Sequence, residues 1–132
     1  MTKTAWLFAC FLACGSSAPK ANPCATPGAT YLDHFVEQSG GTCGAIPDTI
    51  ININPDGTVA TTASVSCATK TQTGCTARDS GCTVTTNGTT CTVTTDITYA
   101  ADGTSATGLE SLSCTTGNQT CTSSYSVASR RQ

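Results

Sequence analysis

Charged and large apolar side chains are both scarce in this 132-residue chain. Charged residues make up 11% of it and the formal net charge is −2, whereas about a quarter of a typical soluble domain is charged. Because there is no basic excess, the composition predicts no nucleic-acid partner. From Cys24 to the C-terminus, Leu, Ile, Val and Phe account for only 15 of 109 residues. This supply is enough for one small domain but makes a thin hydrophobic core.

The residue types that build catalytic and metal sites are also sparse. His34 is the only histidine, and no two cysteines are separated by two residues, whereas zinc sites use closely spaced ligand pairs. His34 follows Asp33, but adjacent residues of a strand point to opposite faces. No G-x-S-x-G nucleophile motif is present. We therefore predict no catalytic residue, no cofactor and no metal ion, and a non-enzymatic protein.

The eight acidic residues do not form an obvious catalytic pair. Asp33 and Glu37 share one face of a predicted strand, but they are about 13 Å apart along it, too far for a retaining glycosidase pair. We interpret the others mostly as turn residues that accept hydrogen bonds from local backbone; they are Asp48, Asp56, Asp79, Asp96, Asp102 and Glu110.

Ten cysteines are the most prominent feature that the chain does possess. Without metal-type spacing, they favour disulfides and an oxidising compartment. Eight of them form an even set that permits 105 pairings, namely Cys24, Cys43, Cys67, Cys75, Cys82, Cys91, Cys114 and Cys121. Four disulfides at about 2–3 kcal/mol each would compensate for the thin core. We therefore predict that reduction unfolds the protein.

Two predicted hairpins suggest which cysteines come close together. Asn87-Gly88 suits a type I′ turn, and pairing of the flanking threonines leaves Cys82 and Cys91 diagonal on one face. A second hairpin around Gly117-Asn118, with a four-residue loop, places Cys114 directly opposite Cys121. The bridge predicted first is Cys114–Cys121, and sequence proximity alone suggests Cys67–Cys75 and Cys24–Cys43.

The residues after Cys24 have the pattern of an all-β domain. Threonine, a β-branched residue, accounts for 26 of the 109 residues, and turn signals recur at short intervals. Period-two alternation predicts strands in the runs 31–37, 50–53, 59–67, 91–99 and 121–127, and the three tyrosines are expected to fill the core. We predict a disulfide-stapled antiparallel meander of seven or eight strands, barrel-like, whose last strand pairs with the first. The alternative is a β-sandwich, and the outline resembles small lipocalin-like barrels.

The first fourteen residues, MTKTAWLFACFLAC, have the pattern of an export signal. Lys3 precedes a nine-residue apolar run that is too short to cross a bilayer but fits the apolar region of a signal peptide. The end of the run, Phe11-Leu12-Ala13-Cys14, resembles the lipobox of bacterial lipoproteins. The resemblance implies removal of residues 1–13 and acylation, such as palmitate, at Cys14. Gly15 resembles the residue that follows this cysteine in lipoproteins sent to the outer membrane.

These features predict three segments and a location. Residues 1–13 would be a signal peptide, residues 14–23 a flexible tether, and residues 24–132 a single β domain. The expected function is a non-enzymatic lipoprotein of the cell envelope, a structural or binding module held on a membrane by its lipid. The alternatives are an ordinary signal with a freely secreted protein, a carrier of a small apolar ligand, and a secreted inhibitor.

Overall fold

The residues that the structure describes fold into one antiparallel sheet of seven strands. A computed structural model describes residues 21–60 and 66–132. Its strands are β1 (Thr30–Glu37), β2 (Thr49–Asn52), β3 (Thr69–Thr73), β4 (Thr76–Thr86), β5 (Thr89–Tyr99), β6 (Ser105–Thr116) and β7 (Gln119–Arg131). The predicted signal peptide and the lipid attachment at Cys14 lie outside the described residues.

The strand order is β2-β1-β7-β6-β5-β4-β3, and the sheet curls into a half-barrel. Strands β3 to β7 follow one another as a meander, and β7 then returns to pair with β1, with Phe35 opposite Val127. The prediction of an all-β, barrel-like meander whose last strand pairs with the first is confirmed. The described strands form one sheet rather than the two of a sandwich.

The two predicted hairpins are present, and their turns differ. Asn87 and Gly88 have φ of 51° and 77°, which is the type I′ pattern, and Thr86 pairs with Thr89 as predicted. Between β6 and β7 the loop has two residues rather than the predicted four, because Thr116 pairs with Gln119. Gly117, with φ of 58°, supplies the first central position of a type II′ turn, so two residues are enough to reverse the chain.

One predicted strand, the run 59–67, does not form a regular strand at its described residues. In the run 59–67, residues 61–65 lie outside the described residues. On either side of them, Val59 forms a single bridge with Ile53, and Ser66 forms one with Thr83. This connection joins β2 and β3, which are the two opposite edges of the sheet.

The core lies on the inner face of the half-barrel. Alternation along the strands turns every second side chain inward, and Tyr31 and Tyr125 are almost completely buried there, as predicted for the tyrosines. The main cluster of buried side chains comprises Phe35, Ile46, Cys82, Val84, Cys91, Val93, Ile97, Ala106, Leu112, Cys114, Tyr125 and Val127. Ile46 comes from the β1–β2 loop, so that loop lies against the core.

Four disulfides use all eight cysteines after residue 20, but the predicted pairings are wrong. The bonds are Cys24–Cys75, Cys43–Cys121, Cys67–Cys82 and Cys91–Cys114. Cys114 does lie opposite Cys121, as the hairpin register predicts. It also lies opposite Cys91 on its other side, and that neighbour takes the bond.

The two remaining errors have a common cause. Cys24 bonds to Cys75 in the β3–β4 turn, at a sequence separation of 51, and Cys121 bonds to Cys43 in the β1–β2 loop, at a separation of 78. Both bonds join segments that only the tertiary fold brings together, so proximity along the chain could not reveal them.

Threonine rows cover the outer face of β4 to β7. One row has four exposed threonines in direct register, and its members are Thr85, Thr90, Thr115 and Thr120. Hydroxyl groups in it hydrogen-bond across the hairpins, at 3.0 Å between Thr85 and Thr90 and at 2.9 Å between Thr115 and Thr120. This face accounts for much of the threonine content and gives the strands an uncharged polar exterior.

Candidate functional site

A row of polar side chains crosses the inner face of the half-barrel, with one residue on each of six neighbouring strands. Direct register links them in order from β3 to β1. We call this set the polar row, and its members are Lys70, Asp79, Thr95, Glu110, Tyr125 and Glu37. All six are buried or half-buried, because they occupy inward positions of the alternating strands.

A second polar set lies four residues away along the strands. Asp33 of β1 stands between Thr49 of β2 and Ser129 of β7, and the register continues from there through Ala106 to Tyr99. An apolar row separates the two sets and consists of Phe35, Val127, Gly108, Ile97 and Ala77. The acidic side chains Asp33 and Glu110 are therefore placed on either side of this apolar strip.

The other two acids of the polar row, Asp79 and Glu37, have partners. Glu37 Oε1 accepts hydrogen bonds from the Ser123 hydroxyl and from the Gly44 backbone N–H, the latter at 3.1 Å. Asp79 faces Lys70, with 3.7 Å between the Asp79 Oδ2 and Lys70 Nζ atoms. Burial raises the pKa of Asp79, and the charge of Lys70 acts against that rise.

Glu110, in the middle of the polar row, has no such partner. Its side chain is completely buried, with 0% exposure, and neither carboxyl oxygen has a hydrogen-bond partner within the described part of the chain. Burial, with a smaller contribution from the charge of Asp33, raises its pKa to about 8. A carboxyl group in this position is therefore mostly protonated at neutral pH.

Asp33 is the second interior acid and is only 2% exposed. Burial raises its pKa to about 6, although a hydrogen bond with the Ser129 side chain acts in the opposite direction. Burial and the nearby Asp33 charge also raise the pKa of Tyr99. Tyr99 meets Tyr31 edge to face, with 5.5 Å between ring centroids.

His34 and Asp33 point to opposite faces, as predicted from their adjacency. Asp33 is buried, whereas His34 is exposed on the outer face. There the His34 Nδ1 atom lies 2.7 Å from Asp48 Oδ1. The two side chains are largely exposed to solvent, and a contact of this kind contributes little to stability.

Of the six acids interpreted mostly as turn residues, two are turn residues, three lie on strands, and Asp48 contacts His34 from the β1–β2 loop. Asp56 and Asp102 accept hydrogen bonds from the backbone and hydroxyl of the second residue beyond them, which is turn chemistry. Asp79, Asp96 and Glu110 instead lie on strands. Asp79 and Asp96 each pair with a cationic residue of the preceding strand, which sequence reasoning did not anticipate.

Glu110 is the interior residue that sequence reasoning missed. The signal that could have found it is the alternation Ala106, Glu110, Leu112 and Cys114, all of which occupy even positions and are buried on β6. A charged residue in phase with apolar ones in a half-buried strand indicates a buried carboxyl. Asp33 shows the same phase relation to Tyr31 and Phe35 on β1.

Comparison with known proteins assigns the chain to no family. No family model, curated protein or solved structure matches the chain. Within residues 21–60 and 66–132, no helix is long and apolar enough to cross a membrane. The same residues contain no cluster of three or more His, Cys, Asp or Glu side chains arranged to bind a metal ion.

The buried acids of the inner face can bind protons, but a substrate in solution cannot reach them in this conformation. Asp33 and Glu110 are closed off from solvent, and a general acid or base must lie within hydrogen-bond reach of the group on which it acts. The chemistry that the geometry allows is therefore proton uptake and release by two buried carboxyl groups.

Proposed function

We propose that the protein is a non-enzymatic module of the bacterial cell envelope, held on a membrane through a lipid on Cys14. It serves there as a structural or binding element. The observation that carries the proposal is the use of the cysteines. All eight after residue 20 are paired with one another, so none of them needs Cys10 or Cys14 as a disulfide partner.

The disulfides support an oxidising compartment. Bonds of this kind form and persist outside the cytoplasm and are rare within it. Lipidation at Cys14 attaches the exported protein to a membrane, because more than one acyl chain holds a protein stably at a bilayer. An outer-membrane location follows from the lipoprotein resemblance and Gly15.

A short connection to the anchor is consistent with the N-terminal segment. Asn22 is buried, and its side-chain amide donates a hydrogen bond to the Cys75 carbonyl at 3.2 Å. The segment is then secured by the Cys24–Cys75 bond. Ordered structure therefore begins no later than Asn22. The stretch between Cys14 and the folded domain is shorter than the predicted tether of residues 14–23.

A non-enzymatic role is favoured by the burial of the acids. The carboxyl groups with the most altered proton affinity are Asp33 and Glu110, and both are enclosed. The alternative of an apolar-ligand carrier is less well supported, because the inner face carries these carboxyls and is filled by Tyr31, Tyr125 and the Cys91–Cys114 bond.

Mass spectrometry and detergent partitioning of the full chain expressed in a bacterial host test the proposal. The mature protein is expected to begin at Cys14, to carry the mass of a diacylglyceryl group and an amide-linked acyl chain, and to enter the detergent phase. A Cys14→Ser variant should lose the added mass and remain unprocessed. A Cys10→Ser variant is the matched control and should be lipidated like the parent.

Two results would contradict lipidation at Cys14. Mature protein that starts after an ordinary cleavage site, lacks acyl mass and stays in the aqueous phase would leave free secretion as the explanation. Lipidation that persists in Cys14→Ser but disappears in Cys10→Ser would move the anchor to the earlier cysteine.

A further inference from the structure

We propose that Glu110, with Asp33 across the apolar strip, forms a proton-loaded switch inside the half-barrel: the inner face stays closed while Glu110 holds its proton and loosens when Glu110 becomes ionised. This goes beyond the proposed envelope role and does not depend on lipidation. It rests on the enclosure of both side chains and on the lack of any partner for Glu110 within the described residues.

Nothing charged and positive faces Glu110 from the neighbouring described strands. The ionisable groups on the inner sides of the surrounding strands are Tyr99 on β5, Tyr125 on β7, Tyr31, Asp33 and Glu37 on β1, Asp79 on β4 and Lys70 on β3. Lys70, the one cation among them, is already paired with Asp79. Ionised Glu110 would therefore be a buried charge without compensation, which is among the most costly arrangements in a protein.

The elements that close the inner face are held by contacts that could give way. Tyr125 is the direct neighbour of Glu110 on β7, and its hydroxyl donates to the Gly44 carbonyl of the β1–β2 loop at 2.7 Å. The same loop is held by the Gly44–Glu37 and Cys43–Ser123 hydrogen bonds. The Cys43–Cys121 disulfide keeps the loop attached, so loosening the noncovalent contacts would open the face without releasing the chain.

The sign of the pH dependence follows from the direction of the shifts. Burial raises the pKa of Glu110 to about 8 and that of Asp33 to about 6, so the folded protein binds protons that the unfolded chain has already released. Stability is therefore complete below the unfolded values and falls as pH rises through the folded ones. Between about pH 6 and pH 8, the folded protein keeps the Glu110 proton that unfolding releases, so the unfolding constant is expected to rise by up to about tenfold per pH unit and to level off above about pH 8.

Denaturant unfolding of the disulfide-bonded protein at several pH values, together with infrared spectroscopy, tests the switch. The parent should lose stability steadily from about pH 6 to pH 8, and a protonated-carboxyl band should disappear as pH rises from about 7 to 9, around the folded pKa of Glu110. Glu110→Gln should remove both the band and most of the slope. Asp96→Asn is the matched control, because Asp96 is an exposed acid paired with Arg78 on β4, and it should leave both unchanged.

The infrared titration of the parent keeps the proposal testable even if Glu110→Gln fails to fold. A parent whose stability does not change between about pH 6 and pH 8 and whose carboxyl band does not change between about pH 7 and pH 9 would overturn the switch. The same would follow if Glu110→Gln retained the full slope. If added Ca²⁺ or Na⁺ restored the parent's stability at about pH 9 but had no effect on Glu110→Gln, the pair would be a cation site instead.

Discussion

At the scale of single residues, Gly108 shows how closely two strands approach at the centre of the sheet. A Cβ atom at this position would collide with the Asp96 carbonyl oxygen and would lie 2.9 Å from the Ile97 Cα atom. Glycine ordinarily weakens a strand, and its presence inside one marks a close approach of backbone. Gly108 also belongs to the apolar strip between Asp33 and Glu110, so the spacing of the two acids depends on it.

Replacement of Gly108 by alanine is expected to destabilise the protein by about 1–3 kcal/mol, the usual cost of overpacking a well-packed interior. The free energy of unfolding in urea measures the loss. Thr107→Ala, an exposed change at the preceding position, should stay within about 0.5 kcal/mol of the parent. Equal stability of Gly108→Ala and Thr107→Ala would show that the sheet can relax around a methyl group here.

At the scale of elements, the two long hairpins close by different means. The β4–β5 turn requires a left-handed conformation at Asn87, whose φ is 51°, whereas Asn118 in the β6–β7 turn is not in that region. Most side chains avoid the left-handed region, and asparagine tolerates it better than others. Asparagine therefore has a different backbone conformation in the two turns. It precedes the glycine in the β4–β5 turn and follows the glycine in the β6–β7 turn.

Alanine at these two asparagines should separate the turn types. Asn87→Ala is expected to cost about 1 kcal/mol, because alanine must enter a left-handed conformation that disfavours it. Asn118→Ala should change stability by less than about 0.5 kcal/mol. Thermal or urea unfolding of both variants checks the difference. A larger loss for Asn118→Ala than for Asn87→Ala would contradict the turn assignment.

At the scale of the whole molecule, the disulfides join segments that are distant in sequence. The bonded cysteines are separated by 15, 23, 51 and 78 residues. Restricting loops of these sizes in the unfolded chain is worth about 3–4.5 kcal/mol for each bond in the chain-entropy description. That contribution matters here because the apolar residues available for burial are few.

Full reduction is therefore expected to unfold the protein at ambient temperature. Circular dichroism in the near and far ultraviolet should lose its native form when reductant is added and regain it after oxidation. A native spectrum that persists with all eight thiols free would contradict this prediction.

Fragment mapping provides a second measurement on the oxidised molecule. Digestion at acidic pH, where exchange between thiols and disulfides is slow, should yield four linked fragments with the pairings described above. Recovery of a Cys114–Cys121 fragment in their place would show that the hairpin neighbours bond to each other.

The sequence by itself determined the strand character, the β4–β5 hairpin and the inward faces. Threonine content, Asn87-Gly88 and period-two alternation all act over a few residues, so their effects can be read locally. The phase of Asp33 on β1 could be read in the same way. The register that places Cys114 opposite Cys121 also follows from the hairpin alone.

Only the tertiary structure decided the cysteine pairing and the surroundings of the acids. Cys114 has two cysteine neighbours of equal register, and the choice between them depends on β5 packing beside β6. Glu110 and Asp33 belong to strands that are far apart in sequence, and the two acids share one interior because β7 returns to β1. Long-range strand pairing and the curl of the sheet set these relations, and local sequence patterns do not specify them.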